Sequence, residues 1–278
     1  VTKPRGYALC VGVNSVDPLH YQGWSGPLNA CENDARDMAS LLKRRGFDVE
    51  MFTTPNATRD AVIDRIRDIA EIAKCGDVFA FTSSSHGGQL PDLNGDEPDG
   101  MDETLCLFDG EIVDDELADL WSEFKAGVRI VSVIDSCHSG TVARLFQPHA
   151  SSAFGPKPVE LPKSRALPID VAERTYRANQ EFYDPILSDP DLKESKKRIK
   201  ASVLHIGACQ DNQTASDGVY NGLFTGTLLA TWQGGRFRGS YTSLHKQISR
   251  RMPAAQTPNL YWASARNADF EAQQPFTI

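Results

Sequence analysis

Ile130-Val131-Ser132-Val133-Ile134-Asp135-Ser136-Cys137-His138-Ser139-Gly140 is an apolar, β-branched run that stops in small and polar residues around one thiol. Such a run reads as a buried strand, and open parallel sheets carry their chemistry at the carboxyl ends of such strands. A lone Cys in that place is more often a packed core residue than a nucleophile. A second stretch, Val78-Phe79-Ala80-Phe81-Thr82-Ser83-Ser84-Ser85-His86-Gly87-Gly88, has the same form and ends in a His. Two strands ending in Cys and His are the sequence trace of a thiol–imidazole pair.

The rest of the chain alternates in the same style. Tyr7–Asn14 reads as a first buried strand. Asn29–Gly46 reads as a helix with Ala35, Met38, Leu41 and Leu42 on one face, basic residues at its end and Gly46 able to cap it. Phe47–Phe52 is a second strand. Thr58 can cap a helix running to Ala73, with Val62, Ile66 and Ile69 on one face. A helix is expected to start near Asp114 and reach Phe124. Ala201–Cys209 is another buried strand, Asn221–Trp232 and Ser240–Arg251 are helices, and Asn259–Trp262 is a last strand. Strands alternating with helices predict an α/β fold around a mostly parallel sheet.

Two segments break the pattern. Residues 92–119 hold twelve Asp or Glu and no Lys or Arg. Asp92-x-Asn94-x-Asp96 begins like an EF-hand with Glu103 at its twelfth position, but Glu97 fills the obligatory Gly position and Pro98 follows, so an EF-hand is rejected. Residues 142–200 are rich in Pro and end in Lys193, Lys196, Lys197, Arg198 and Lys200, and read as a long loop or linker.

The chain has 278 residues, 40% hydrophobic content and a net charge of −8. This composition supports a sizeable core and argues against a general affinity for nucleic acid or an anionic membrane. No apolar run approaches the roughly 18–20 residues that span a bilayer. The N-terminus lacks a signal-peptide cleavage site, and the starting Val suggests that upstream domains precede it. Six dispersed cysteines, with no C-x-x-C pair, give little support to zinc or redox motifs and fit a reducing cytoplasm.

The sequence resembles the metacaspases, called orthocaspases in bacteria, among the caspase-like cysteine peptidases. The resemblance rests on Ser85-His86-Gly87-Gly88, Asp99-Gly100-Met101-Asp102-Glu103-Thr104 and Asp135-Ser136-Cys137-His138-Ser139-Gly140. It extends to Asn29–Ala35, Asp114-Asp115-Glu116 and Cys209-Gln210-Asp211-Asn212-Gln213-Thr214-Ala215, in the family's order. It implies a caspase-like sandwich with a central sheet of about six strands flanked by helices. It also implies one peptidase domain: a large-subunit-like portion (1–141), an inter-subunit linker (142–200) and a small-subunit-like portion (201–278).

The resemblance further implies a Cys/His dyad in which Cys137 attacks as thiolate and His86 carries the proton to the leaving amine. Backbone N–H groups of Gly87 and Cys137 would form the oxyanion hole; Gly87 also suits close approach to a substrate carbonyl. His138 is a rival base that the family pattern leaves without that role. Asp34 and Asp135, assisted by Ser84, would select Arg or Lys before the scissile bond. Asp102, Asp114 and Asp115 match positions through which many metacaspases bind activating Ca²⁺. A fourth acid is expected where Arg144 stands, and an Arg there could supply the positive charge and make activity Ca²⁺-independent. No cofactor is required for the chemistry itself. Ser85 stands where the family has Gly and would narrow the cleft. The expected function is a monomeric cytoplasmic endopeptidase acting on protein or peptide substrates and cutting itself within 142–200, where Arg144, Lys157, Lys163, Arg165, Arg174, Arg177 and the 196–200 cluster offer sites. The competing readings are a catalytically silent scaffold or Ca²⁺-sensing module, and an asparaginyl endopeptidase, which two pocket carboxylates disfavour.

Overall fold

The structure is a computed structural model that describes residues 3–95, 97–137, 163–210, 213 and 215–278. The apolar runs form strands β1 (Gly6–Gly12), β2 (Asp48–Thr53), β3 (Val78–Ser84), β7 (Arg129–Asp135), β8 (Ser202–Gly207) and β9 (Asn259–Trp262). They make one six-stranded sheet in the order β2-β1-β3-β7-β8-β9. All neighbours are parallel except the edge pair β8–β9. β4 (Gly87–Pro91), β5 (Met101–Cys106) and β6 (Glu111–Val113) form a small antiparallel sheet that the acidic sequence conceals.

The central strands read as continuous apolar runs because both faces are covered. Tyr7, Leu9, Phe79, Phe81, Ile130 and Ile134 point into one core, shared with helices α2 (Arg59–Ile72) and α3 (Asp114–Ser122). Ala8, Cys10, Val78, Ala80, Val131, Val133, Leu204 and Ile206 point into the other. That face is covered by α1 (Cys31–Arg44), α8 (Leu223–Trp232), α9 (Tyr241–Ser249) and α10 (Ala268–Ala272). The period-2 alternation of a strand thus sorts one run into two cores. The mostly parallel sheet flanked by helices is the expected architecture.

The stretch read as a linker is folded over its described part, 163–200. It carries α4 (Ile169–Ala178), α5 (Gln180–Leu187), α6 (Pro190–Lys193) and α7 (Ser195–Arg198). Its prolines mislead because Pro168 caps α4 and Pro190 opens α6. A helix tolerates Pro at its first position, where the N–H has no intrahelical partner. Among the described residues of the segment only Pro185 sits inside a helix. Among the described residues no helix is long and apolar enough to cross a membrane.

Candidate active site

Register brings the thiol and the imidazole together. β3 and β7 are neighbours, and their last paired residues are Ser84 and Asp135. His86 and Cys137 each follow two residues later, at the same carboxyl edge of the sheet. The two chains touch there: a Cβ on Gly87 would stand 2.0 Å from the carbonyl oxygen of Cys137, so that position admits only glycine.

His86 is buried, with Nε2 2.8 Å from the carbonyl oxygen of Gly26 and its ring 4.8 Å from that of Trp24. Gly26 has φ +49°, and a Cβ there would strike the Trp24 ring, so glycine lets this carbonyl reach the imidazole. A carbonyl can only accept, so Nε2 carries the hydrogen and Nδ1 keeps its lone pair. Burial pulls His86 down to about 4. Burial pushes the Cys137 thiol well above its ordinary range, with Cys209 adding to the rise. The thiol donates to the Ala215 carbonyl oxygen at 3.3 Å and accepts from the Ala215 N–H. In the filled site burial thus favours a protonated thiol beside a neutral imidazole. Water exclusion disfavours both charges. Ser85 is fully buried and donates to the His86 carbonyl at 2.8 Å, so it braces the loop instead of narrowing a cleft.

The cleft is filled by the chain itself. Lys163–Leu167 lies extended between residues 215–217 and Gly87, with bridges Ser164–Ser216 and Gly87–Ala166. Asp217 N–H donates to the Lys163 oxygen (2.8 Å) and Arg165 N–H to the Ala215 oxygen (3.1 Å). The Gly87 N–H donates to the Arg165 carbonyl oxygen at 2.9 Å, and Leu167 N–H donates to the Gly87 oxygen. Arg165 N–H and the Cys137 thiol share one acceptor, the Ala215 oxygen, which sets the Arg165 backbone beside the sulfur. Of the two expected oxyanion donors, Gly87 makes its bond; none from Cys137 N–H to that oxygen occurs among the described residues.

The Arg165 side chain is fully buried. Its Nη1 lies 2.8 Å from Ser84 Oγ, 3.0 Å from the Asp135 carbonyl oxygen and 2.9 Å from Asp135 Oδ1. Its Nη2 lies 2.7 Å from Asp34 Oδ2 and 3.1 Å from Asp217 Oδ1. The start of α8 holds the carboxylates: Gly222 N–H donates to Asp34, and Thr225 donates to Asp135 through N–H and hydroxyl. Helix N-termini favour negative charge in this way. Burial raises Asp34 to about 6, against the opposing pull of the Arg165 guanidinium. One cation faces three carboxylates, and their excess charge is costly in a dry pocket.

Asp34, Asp135 and Ser84, expected to select a basic side chain, thus converge on one guanidinium. Three further residues escaped that reading. Asp217 supplies a third carboxylate and also accepts from the Asn29 and Ala30 N–H groups. Gly222 forms a wall, where a Cβ would stand 2.5 Å from Arg165 Nη2. Arg165 itself reads in sequence as one of several basic residues in a Pro-rich segment. Lys163 lies on the same cleft strand but sends its ammonium to the Pro27 carbonyl oxygen, whereas Arg174 pairs with Asp170, Arg177 with Glu173 and Arg198 with Asp119. His138, Ser139, Gly140, Arg144 and Lys157 lie outside the described residues.

The carboxylates expected to bind Ca²⁺ meet a different partner. Asp102 is buried in β5, and Asp114 and Asp115 open α3. Lys196 Nζ on α7 stands 3.2 Å from each of Glu97 Oε1, Asp114 Oδ2 and Asp115 Oδ1. Ca²⁺ takes six to eight oxygen ligands at about 2.3–2.6 Å and tolerates no ammonium among them. The arrangement does not fit the ion, and among the described residues no group of three or more His, Cys, Asp or Glu is set to hold a metal.

Residues 5–269 match the caspase domain family. Metacaspase-1 of Schizosaccharomyces pombe is 31% identical over 251 residues, which cover 80% of this chain and 57% of that protein. Metacaspase-1 of Kluyveromyces lactis is 32% identical over 254 residues, covering 81% and 57%. The chain spans about three fifths of the length of such relatives. A crystal structure of a protein from Geobacter sulfurreducens superposes with a TM-score of 0.85 at 49% identity, covering 99% of both chains.

Proposed function

This chain belongs to the caspase domain family of cysteine peptidases, and from that premise we propose that it is an endopeptidase that cuts after Arg and first cuts itself between Arg165 and Ala166. One observation carries the reading: Arg165 is bound as a substrate would be, with its guanidinium among three carboxylates and its carbonyl on the Gly87 N–H. The flanking backbone adds as a strand along 215–217, a common mode of peptide recognition.

The chemistry follows from the resting pair. The Cys137 thiol turns from the Ala215 oxygen and passes its proton to His86 Nδ1, since Nε2 is committed to Gly26. The sulfur adds to the Arg165 carbonyl carbon, and the developing oxyanion takes the Gly87 N–H. The imidazolium returns the proton to the departing Ala166 nitrogen as the C–N bond breaks. Water then hydrolyses the Arg165 thioester and restores the thiol. Self-cleavage frees the segment that fills the cleft and admits other chains.

The pocket supports Arg over Lys. Nη1 and Nη2 each meet their own acceptors, and a single ammonium cannot reach both sets. Losing one charge-assisted hydrogen bond costs about 1.5–3 kcal/mol, so arginyl peptides should outpace lysyl ones roughly tenfold to 150-fold. No observation favours the silent-scaffold reading. The test is hydrolysis of matched arginyl, lysyl and aspartyl fluorogenic peptides by the wild type and Cys137→Ala. Arginyl cleavage that vanishes with Cys137→Ala supports the proposal. Activity that survives the substitution, or an aspartyl preference, would sink it.

A further inference from the structure

The Lys196 ammonium occupies the acidic cluster in which the sequence resemblance expects a Ca²⁺ ion. Asp114 and Asp115 lie in the first turn of α3, and Glu97 sits on the loop before β5. Asp115 Oδ2 also accepts from Asn94 Nδ2 at 3.0 Å, and Lys193 Nζ reaches the Asn94 carbonyl oxygen at 2.8 Å. Two lysines three residues apart thus tie α6 to Asn94, and α7 to Glu97 and α3. Asp115 is buried and Asp114 half-buried beside it, so the two would repel without a cation nearby. Some positive charge is needed there, because adjacent carboxylates partly withdrawn from water are destabilising without a counter-ion.

We propose that Lys196 is the resident cation of this cluster, a tethered ammonium that takes the place of a metal ion, so that the folded chain neither needs nor binds Ca²⁺. A tethered charge has three consequences. It is present at every Ca²⁺ concentration. Its entropy of placement is already met by the fold of 190–198. It also blocks the oxygens a Ca²⁺ ion would use, because Nζ touches three separate carboxylates at once. The sequence suggested Arg144 as a source of charge; Lys196, more than fifty residues further on, is the one the structure sets among the acids.

The inference is independent of the peptidase reading and is tested with that chemistry removed. The full chain carrying Cys137→Ala is melted with EGTA and with about 10 mM CaCl₂; less than about 1 °C separates the two if no site is open. Adding Lys196→Gln should lower the melting temperature in EGTA by about 3–6 °C and make it rise again with Ca²⁺, as a vacated anionic cluster gains a ligand. Lys197→Gln, which loses only an exposed pair with Glu194, is the control and should match the parent. A Ca²⁺-dependent rise in the parent that Asp114→Asn abolishes would overturn the proposal. So would a Lys196→Gln chain that melts like the parent in both conditions.

Discussion

Asp217→Asn tests the pocket at its least expected member. Oδ1 of Asp217 lies 3.1 Å from Arg165 Nη2, and the same carboxylate accepts from Asn29 and Ala30 N–H at 2.8 and 3.2 Å. Asn keeps one oxygen for those amides and removes the charge that faces the guanidinium. A hydrogen bond to a charged group contributes about 1.5–3 kcal/mol, or roughly tenfold to 150-fold in an equilibrium. Two other carboxylates remain, so the loss should fall at the lower end, about tenfold to thirtyfold in kcat/KM for an arginyl peptide. The contact is made equally in ground and transition states, so KM should rise while kcat holds. The same peptide with citrulline, the neutral isostere of Arg, separates charge from shape. Wild type should prefer Arg over citrulline strongly, and Asp217→Asn should narrow that preference. Equal losses on both peptides would mean that Asp217 only anchors the loop to α1, and the reasoning about the pocket would fail.

Two further predictions follow from single atoms. Gly222→Ala puts a methyl 2.5 Å from the guanidinium tip, and overpacking of this kind costs about 1–3 kcal/mol. Arginyl hydrolysis should fall at least about fivefold; an unchanged kcat/KM would show that the wall can retreat. Glu111 is fully buried and its carboxyl is pushed up to about 7 by burial, with Thr104 opposing. The folded state then holds a proton that the unfolded state releases, so this group stabilises below about pH 4.5 and that contribution is lost as pH rises through 7. Glu111→Gln should remove a decline on the order of 3 kcal/mol between pH 4.5 and 8 in urea unfolding of the Cys137→Ala chain. A wild-type-minus-variant difference that is flat with pH would refute it.

The opening strand and its partner exposed the core of the site, because β3 and β7 are long, apolar and end in reactive side chains. Asp34, Asp135 and Ser84 were legible through the resemblance, and each lies within a few residues of a strand or helix end. What stayed hidden depends on distant segments meeting. Arg165 comes from the stretch before α4 and Asp217 and Gly222 from the β8–α8 connection, and a buried Arg has the same local signature as a solvated one. Lys196 lies in a cationic run that reads as a wet surface, and only the packing of α7 on α3 reveals its acids. The small sheet β4-β5-β6 escaped because its buried positions include Asp102, Thr104 and Glu111. Polar residues at core positions erase the alternation that marks a strand.

The most direct test of the account is the intact mass and the N-terminal sequence of freshly folded wild type beside Cys137→Ala and Arg165→Gln. Wild type should convert to two fragments, with a new N-terminus at Ala166 and a partner ending at Arg165. Both variants should keep that bond whole. A wild-type chain that stays intact, or one that is cut at Ala166 even without Cys137, would contradict the reading of Arg165 as the enzyme's first substrate.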